Sequence, residues 1–187
     1  MEKLIREIFD SHIATVETSR YLISQTIEVV ANVILSSIEQ KNKIILFGNG
    51  GSAGDAQHIA AEFTGRFLKE RKALPAIALT TDTSALTAIA NDYGYDDVFK
   101  RQVEALAQPG DVIIGISTSG NSANVVSALD FGREIGCKTI GMSGRNGGLM
   151  NKVCDINIVV PSDVTARIQE IHILIGHIIC EIVDSKF

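Results

Sequence analysis

The chain is 187 residues long, 45% apolar and 21% charged, with 16 glycines and only 3 prolines. That is the make-up of one compact globular unit burying on the order of two thirds of its unfolded surface, so any metal would serve chemistry rather than folding. Lys plus Arg number 17 against 22 Asp plus Glu, a formal charge of −5 with no long run of like charges. This argues against a nucleic-acid groove or an anionic membrane surface, but not against small phosphorylated ligands, which helix N-terminal amides bind without net basic charge.

Cys137, Cys154 and Cys180 are odd in number and scattered, and the N-terminus lacks the apolar core of a signal peptide. Both features point to the reducing cytoplasm. No apolar stretch approaches the roughly 20 residues of a membrane span.

From Met1 to Gln40 there is neither Gly nor Pro, and apolar residues recur at helical spacing: Ile5, Ile8, Phe9, Ile13 and Val16, then Ile27, Val30, Ala31, Ile34 and Ile38. The pattern predicts two helices or one long broken one. The Ile27–Leu35 stretch is apolar nearly all round and so packs on more than one side, a subunit interface being the natural second partner.

From Lys41 the texture changes to short apolar runs at Ile44–Phe47, Ala76–Leu79, Val112–Ile116, Thr139–Met142 and Ile156–Val160. Between them, helical periodicity runs through Asp55–Phe67, Asp97–Leu106 and Ala123–Ile135. Five buried strands alternating with helices predict a parallel sheet covered on both faces, a doubly wound α/β unit. A last helical pattern covers Val164–Val183. With no linker or repeat, the chain reads as a single domain: N-terminal helices over 1–40, the parallel core over 41–162 and a C-terminal helix over 163–187.

In such a sheet, ligands bind at the carboxyl ends of the strands. The first strand exits into Gly48-Asn49-Gly50-Gly51-Ser52-Ala53-Gly54. Glycines there let backbone approach a ligand, and the next helix offers free amides. As a dinucleotide fingerprint the loop is incomplete, because no acidic residue ends the second strand; nor does a Lys-Ser/Thr pair follow to make a P-loop. No nucleotide cofactor is expected, and a plain strand-to-helix turn is the bland alternative.

The third strand exits into Ser117-Thr118-Ser119-Gly120-Asn121-Ser122, four hydroxyls around a glycine ahead of a helix. This is a phosphate cradle of neutral donors aided by the helix dipole, with ordinary N-capping by Ser119 or Ser122 as the alternative. The second loop, Thr80 to Ser84, and the Asn91-Asp92 pair beyond it look by themselves like turn and cap residues.

Three ionisable or ligating groups stand out by spacing. His58 and Glu62 lie four apart on one helical face, the pattern of a surface pair or of a site. Gln169 and His177 lie about 80° apart around the last helix, whereas His172 is rotated about 140° from His177 and reads as a core histidine. Cys180 reads as a small buried hydrophobe. A phosphate cradle beside a carboxylate and a histidine suits proton abstraction next to a carbonyl, with Glu as base and His as acid. Sugar-phosphate isomerisation is that reaction.

With these motifs in hand, namely Gly48-Asn49-Gly50-Gly51-Ser52, His58-x-x-x-Glu62, Asn91-Asp92, Gly115 to Ser122, and Arg167-Ile168-Gln169-Glu170 with His177, the chain resembles the sugar isomerase (SIS) domain family over essentially its whole length. Within that family it is similar to the bacterial phosphoheptose isomerases. The resemblance implies a five-stranded parallel sheet wound in the flavodoxin-like manner. It also implies interconversion of D-sedoheptulose 7-phosphate and D-glycero-D-manno-heptose 7-phosphate through an enediol, on the way to lipopolysaccharide core heptose.

It places Asn49, Gly50, Gly51, Ser52, Asn91 and Asp92 at the sugar, and Ser117, Thr118, Ser119 and Ser122 at the phosphate. Glu62 becomes the general base and His177 the general acid. His58, Glu62, Gln169 and His177 match a zinc-binding set that also touches substrate. The family forms homotetramers with active sites across subunit contacts. Where some members carry an aspartate before the arginine of the Arg-Ile-Gln motif, this chain has Ala166. A non-catalytic tetramer associating with the replication initiator is the competing reading, and a sugar-phosphate sensor controlling a DNA-binding domain a third; the complete His58, Glu62, Gln169, His177 set argues against the adaptor, and the absence of a second domain against the sensor.

Overall fold

The computed structural model describes residues 1–187. Helix α1 spans Glu2–Glu39 without a break, about 57 Å of rod at 1.5 Å per residue. With no Gly or Pro among the first forty residues, nothing interrupts the backbone ladder, so in place of the expected two helices or one long broken one there is a single unbroken helix. It ends where Lys41 takes a left-handed conformation (φ 68) and its amide and that of Asn42 turn back to Ile38 O and Ser37 O.

One 18-residue window of α1 has a mean hydropathy of 1.4, so the expectation that no stretch nears a membrane span is corrected on length and composition; 44% of that window is buried against the rest of the chain. Ile23, Ile27, Val30, Ala31, Ile34, Leu35 and Ile38 supply that burial.

Five strands follow: β1 (Ile44–Gly48), β2 (Ala76–Ala78), β3 (Val112–Ser117), β4 (Lys138–Gly144) and β5 (Ile156–Val160). All pair in parallel, in the order β2-β1-β3-β4-β5. The order reverses between β1 and β3, so the loops leaving those two strands flank the switch point.

Because side chains alternate across a strand, each strand feeds two cores. Ile44, Leu46, Val112, Ile114 and Ile116 face α1, α2 (Gly51–Thr64) and α7 (Thr165–Asp184). Ile45, Phe47 and Ile113 face α4 (Lys100–Leu106) and α5 (Ala123–Glu134), where the rings of Phe47 and Phe99 stack at 5.1 Å.

Local boundaries differ from expectation for physical reasons. Helix α2 starts at Gly51 and stops at Thr64, not Phe67, because Gly65 and the buried Arg71 guanidinium terminate it: Arg71 donates to the carbonyls of Glu62 (2.8 Å) and Phe63 (2.9 Å). The stretch begun at Asp97 is a 3-10 turn over Tyr95–Asp97 followed by α4. Helix α3 (Thr83–Asp92), whose two ends read in the sequence as turn and cap residues, buries no residue completely and rests Leu86, Ile89 and Ala90 half-buried on the second core; Asp82 caps it through Ala85 N at 2.9 Å. The short α6 (Met150–Val153) was also invisible to periodicity.

Two buried polar contacts fasten α7. Asp184 accepts from Arg71 Nε at 2.5 Å and from the amides of Leu68 and Lys69 at 2.8 and 3.0 Å, with both charged side chains only 2% exposed. His172 is wholly buried, its Nε2 3.0 Å from Ser143 O and its Nδ1 without a partner. Burial pulls its pKa down to about 4 against the opposing pull of that carbonyl.

An unfolded chain protonates His172 below about 6.5 and the folded chain only near 4, so acid favours unfolding across that window. Relative to His172→Gln, the native protein should therefore lose roughly 3 kcal/mol of stability between pH 7 and pH 4, read as a difference in denaturant midpoints. Parallel pH dependence of the two proteins would refute the assignment.

Candidate active site

Helices α2 and α7 run parallel and very close. A Cβ on Gly176 would stand 2.5 Å from Ile59 Cδ1 and 2.6 Å from its Cγ1, so any larger residue here must displace the Ile59 side chain or the helix. Immediately beside the contact, His58 and Glu62 of α2 meet His177 of α7. His58 Nε2 is 3.1 Å from Glu62 Oε1 and 3.4 Å from His177 Nε2, and the ligating atoms of all three lie within 4.8 Å of one another.

The pair at 58 and 62 is thus not a bare surface pair. Three atoms bearing lone pairs converge, an arrangement that repels itself unless a proton or cation sits among them. Two imidazoles and a carboxylate are a fitting donor set for a divalent ion. Of the four metal candidates, the structure brings these three together; the amide of the fourth, Gln169, lies instead against Gly51 at the start of α2. The eight-residue spacing along α7 explains this, since it matches about 12 Å of rise along the parallel α2.

The other members of the α7 neighbourhood behave as cores. His172 faces Ser143, away from the cluster. Cys180 is buried and is not among the groups that converge with His58, Glu62 and His177; burial, with Glu62 and Asp184 nearby, pushes its thiol up to about 12. Asp55, one turn before His58 and passed over in the sequence, has an unpartnered buried Oδ2; burial raises its pKa against the pull of His58.

The hydroxyl loop sits at the end of β3. Ser117 Oγ pairs with Ser122 Oγ at 2.9 Å, and Ser119 Oγ accepts from Asn121 N at 3.2 Å. Ser122 occupies the N-cap of α5 yet makes no side-chain cap bond, so the capping alternative fails and the first-turn amides of Ala123 and Asn124 stay available to an anion. Gly120 makes the turn possible, with φ +67 and Gly147 O 2.1 Å from where a Cβ would stand.

The glycine loop is locked to it by a residue that motif reading missed. Buried Asn124 and Asn49 exchange amide bonds, each 2.9 Å, while Tyr95 hydroxyl donates to Asn49 Oδ1 at 3.1 Å. Asn49 Oδ1 is thereby saturated, leaving one amide N–H and the backbone for a ligand. A polar residue at an otherwise core-facing position of α5 was the available signal for Asn124; nothing in the sequence marked Tyr95. Ser52 is buried, and Gly50 and Gly51 are exposed. Asn91 and Asp92 close α3 on the surface, their side chains bonded only to each other at 2.8 Å. Four cavities on the isolated chain lie elsewhere, lined by none of these residues, and in the cluster itself His58 is exposed while Glu62 and His177 are half-buried.

The SIS domain family model matches residues 9–144. A phosphoheptose isomerase of Aliarcobacter butzleri is 58% identical over 186 residues, covering 100% of this chain and 98% of that protein. The chain belongs to the phosphoheptose isomerase family of SIS-domain proteins.

Solved structures agree. The phosphoheptose isomerase of Neisseria gonorrhoeae is 44% identical with a TM-score of 0.94, covering 98% of each chain. That of Francisella tularensis is 37% identical with a TM-score of 0.95, covering 98% of this chain and 97% of that one. The matched SIS segment stops before α7, so the helix bearing Gln169 and His177 is embraced only by the full-length likenesses. The adaptor alternative finds no support among these relatives.

Since the cluster depends on the glycine contact, Gly176→Val should force α7 off α2 and cost about 1–3 kcal/mol, lowering turnover more than a change of that size remote from the site. Parallel assays and melting curves check this; full activity would sink it.

Proposed function

We propose that the protein is an aldose–ketose isomerase that interconverts D-sedoheptulose 7-phosphate and D-glycero-D-manno-heptose 7-phosphate. The observation carrying this reading is the convergence of Glu62 and His58 of α2 with His177 of α7 within 4.8 Å, in a chain that also carries the hydroxyl loop at the end of β3. In the reaction, Glu62 takes the proton from the carbon next to the carbonyl, giving an enediol, and returns it to the neighbouring carbon. His177 moves the companion proton between the adjoining oxygens, so the two steps balance. Ser117, Thr118, Ser119 and Ser122 hold the phosphate with neutral donors, and Asn49, Gly50, Gly51, Ser52, Asn91 and Asp92 contact the sugar chain.

Zinc is the ion the donor set suits, held by His58, Glu62 and His177, with Gln169 as a fourth ligand after a change of rotamer. When bound, it would act as a Lewis acid on the sugar oxygens. A cation on Glu62 lowers the basicity of that carboxylate, so the residue divides its time between the two roles.

The active unit is a homotetramer. One observation supports this reading: Leu4, Ile5, Ile8, Phe9 and Ile13 form an apolar stripe 46–65% exposed on α1. The reaction belongs in the cytoplasm, where it feeds the heptose of the lipopolysaccharide core.

Replacing Glu62 by Gln should reduce conversion of sedoheptulose 7-phosphate by about 10²–10⁴-fold while melting temperature and oligomeric state stay native. Retained turnover would remove Glu62 as the base. Chelation should abolish native activity and zinc alone should restore it; activity indifferent to chelator means the cluster works as a proton network without metal.

A further inference from the structure

We propose that Phe67 is a positioning residue for His177, so that the segment leaving α2 belongs to the catalytic apparatus. The proposal rests on the isomerase reading above. The Phe67 ring stacks on the His177 imidazole, with centroids 5.5 Å apart and planes inclined by 28°. His58 meets the same imidazole edge-on, at 5.0 Å and 74°. The imidazole is therefore held on one face by Phe67 and met edge-on by His58. Rotation about its ring bond would break one contact or the other, and the orientation they share keeps Nε2 within 3.4 Å of His58 Nε2.

Phe67 lies in a stretch without regular structure, between the end of α2 at Thr64 and β2 at Ala76. Such a stretch would ordinarily be mobile, yet this one is fastened on both sides of the ring. The amides of Leu68 and Lys69 donate to Asp184, and Arg71 donates to Asp184 and to the carbonyls of Glu62 and Phe63. Arg71 and Asp184 are each 2% exposed. Burial pushes the Asp184 carboxyl up, but the bonds from Lys69 N–H, Arg71 and Leu68 N–H outweigh it and hold the group below its ordinary value. The clamp remains charged at neutral pH. It ties together the end of the helix bearing Glu62, the turn bearing Phe67 and the end of the helix bearing His177.

The half-buried Phe67 can be changed without opening a core. Phe67→Leu should lower kcat roughly tenfold with KM within twofold and melting temperature near native, whereas Phe67→Tyr, which keeps the stacked face, should restore kcat to within about twofold. A second readout needs no turnover. In histidine-labelled protein the His177 ring resonance, shielded by the Phe67 ring current, should move downfield in Phe67→Leu and stay in place in Phe67→Tyr. An unmoved resonance overturns the proposal, as does a loss confined to KM, which would make Phe67 a substrate contact, or an equal fall in both variants. If the native chain fails to isomerise heptose phosphates, the reaction assignment falls while the resonance still decides whether Phe67 orients His177.

Discussion

The close parallel approach of α2 and α7 is the constraint on which the site depends. Two helices pack with axes 8–10 Å apart for ordinary side chains, and small residues at the contact bring them nearer. At Gly176 the missing Cβ admits Ile59, so that side chains projecting from the two helices meet at short range. Farther along the same seam, the Arg71–Asp184 pair replaces apolar packing with charge. Removing either partner from so dry a place would leave an uncompensated ion, a loss of about 3–5 kcal/mol. A seam built this way resists sliding, because register is set at one end by a glycine and at the other by an ion pair.

The second requirement is an anion site on an acidic protein. With a formal charge of −5, the chain cannot rely on its overall field to attract phosphate. The hydroxyl loop meets the need locally. Its serines bond to one another and to the loop backbone, which leaves the amides of Ala123 and Asn124 open, while that of Val125 donates to the Asn124 side chain. The helix then presents its dipole and open donors at the switch point beside the glycine loop, and the Asn49–Asn124 exchange fixes the two loops as one surface.

Sequence patterns revealed what repeats along the chain and missed what depends on contact between distant segments. The strands were legible as apolar runs: central β1 and β3 are buried throughout, so that runs such as Ile44–Phe47 stand out without any alternation, while the edge strands β2 and β5 are only partly buried. Helix α3 was not, since its stripe is only Leu86, Ile89 and Ala90, half-buried and bounded on both sides by turn-type residues. The loops of the site were legible from their glycines and hydroxyls, and His58 with Glu62 from their four-residue step. What escaped were partners that neither spacing nor residue type declares: Asn124 across from Asn49, Tyr95 over it, Phe67 upon His177. The end of α2 was misjudged for the same reason, because Arg71, seven residues beyond Thr64, folds back to cap carbonyls that a helical pattern alone would have continued.

The spacing of the cluster also bears on which chemistry it suits. Hydrolysis of a glycosidic bond with inversion needs carboxyl groups about 6.5–9.5 Å apart so that a water can enter between them. Moving a hydrogen between two bonded carbons has the opposite demand: the carbons and their oxygens are neighbours, and the groups serving them must crowd together on one side of the sugar. A carboxylate and two imidazoles within 4.8 Å meet that second demand, and with Glu62 as the one carboxylate of the cluster the pair that the first requires is not in it. His58, whose Nε2 lies 3.1 Å from Glu62 Oε1 and 3.4 Å from His177 Nε2, is therefore as much a part of the cluster as the two residues named for the proton transfers.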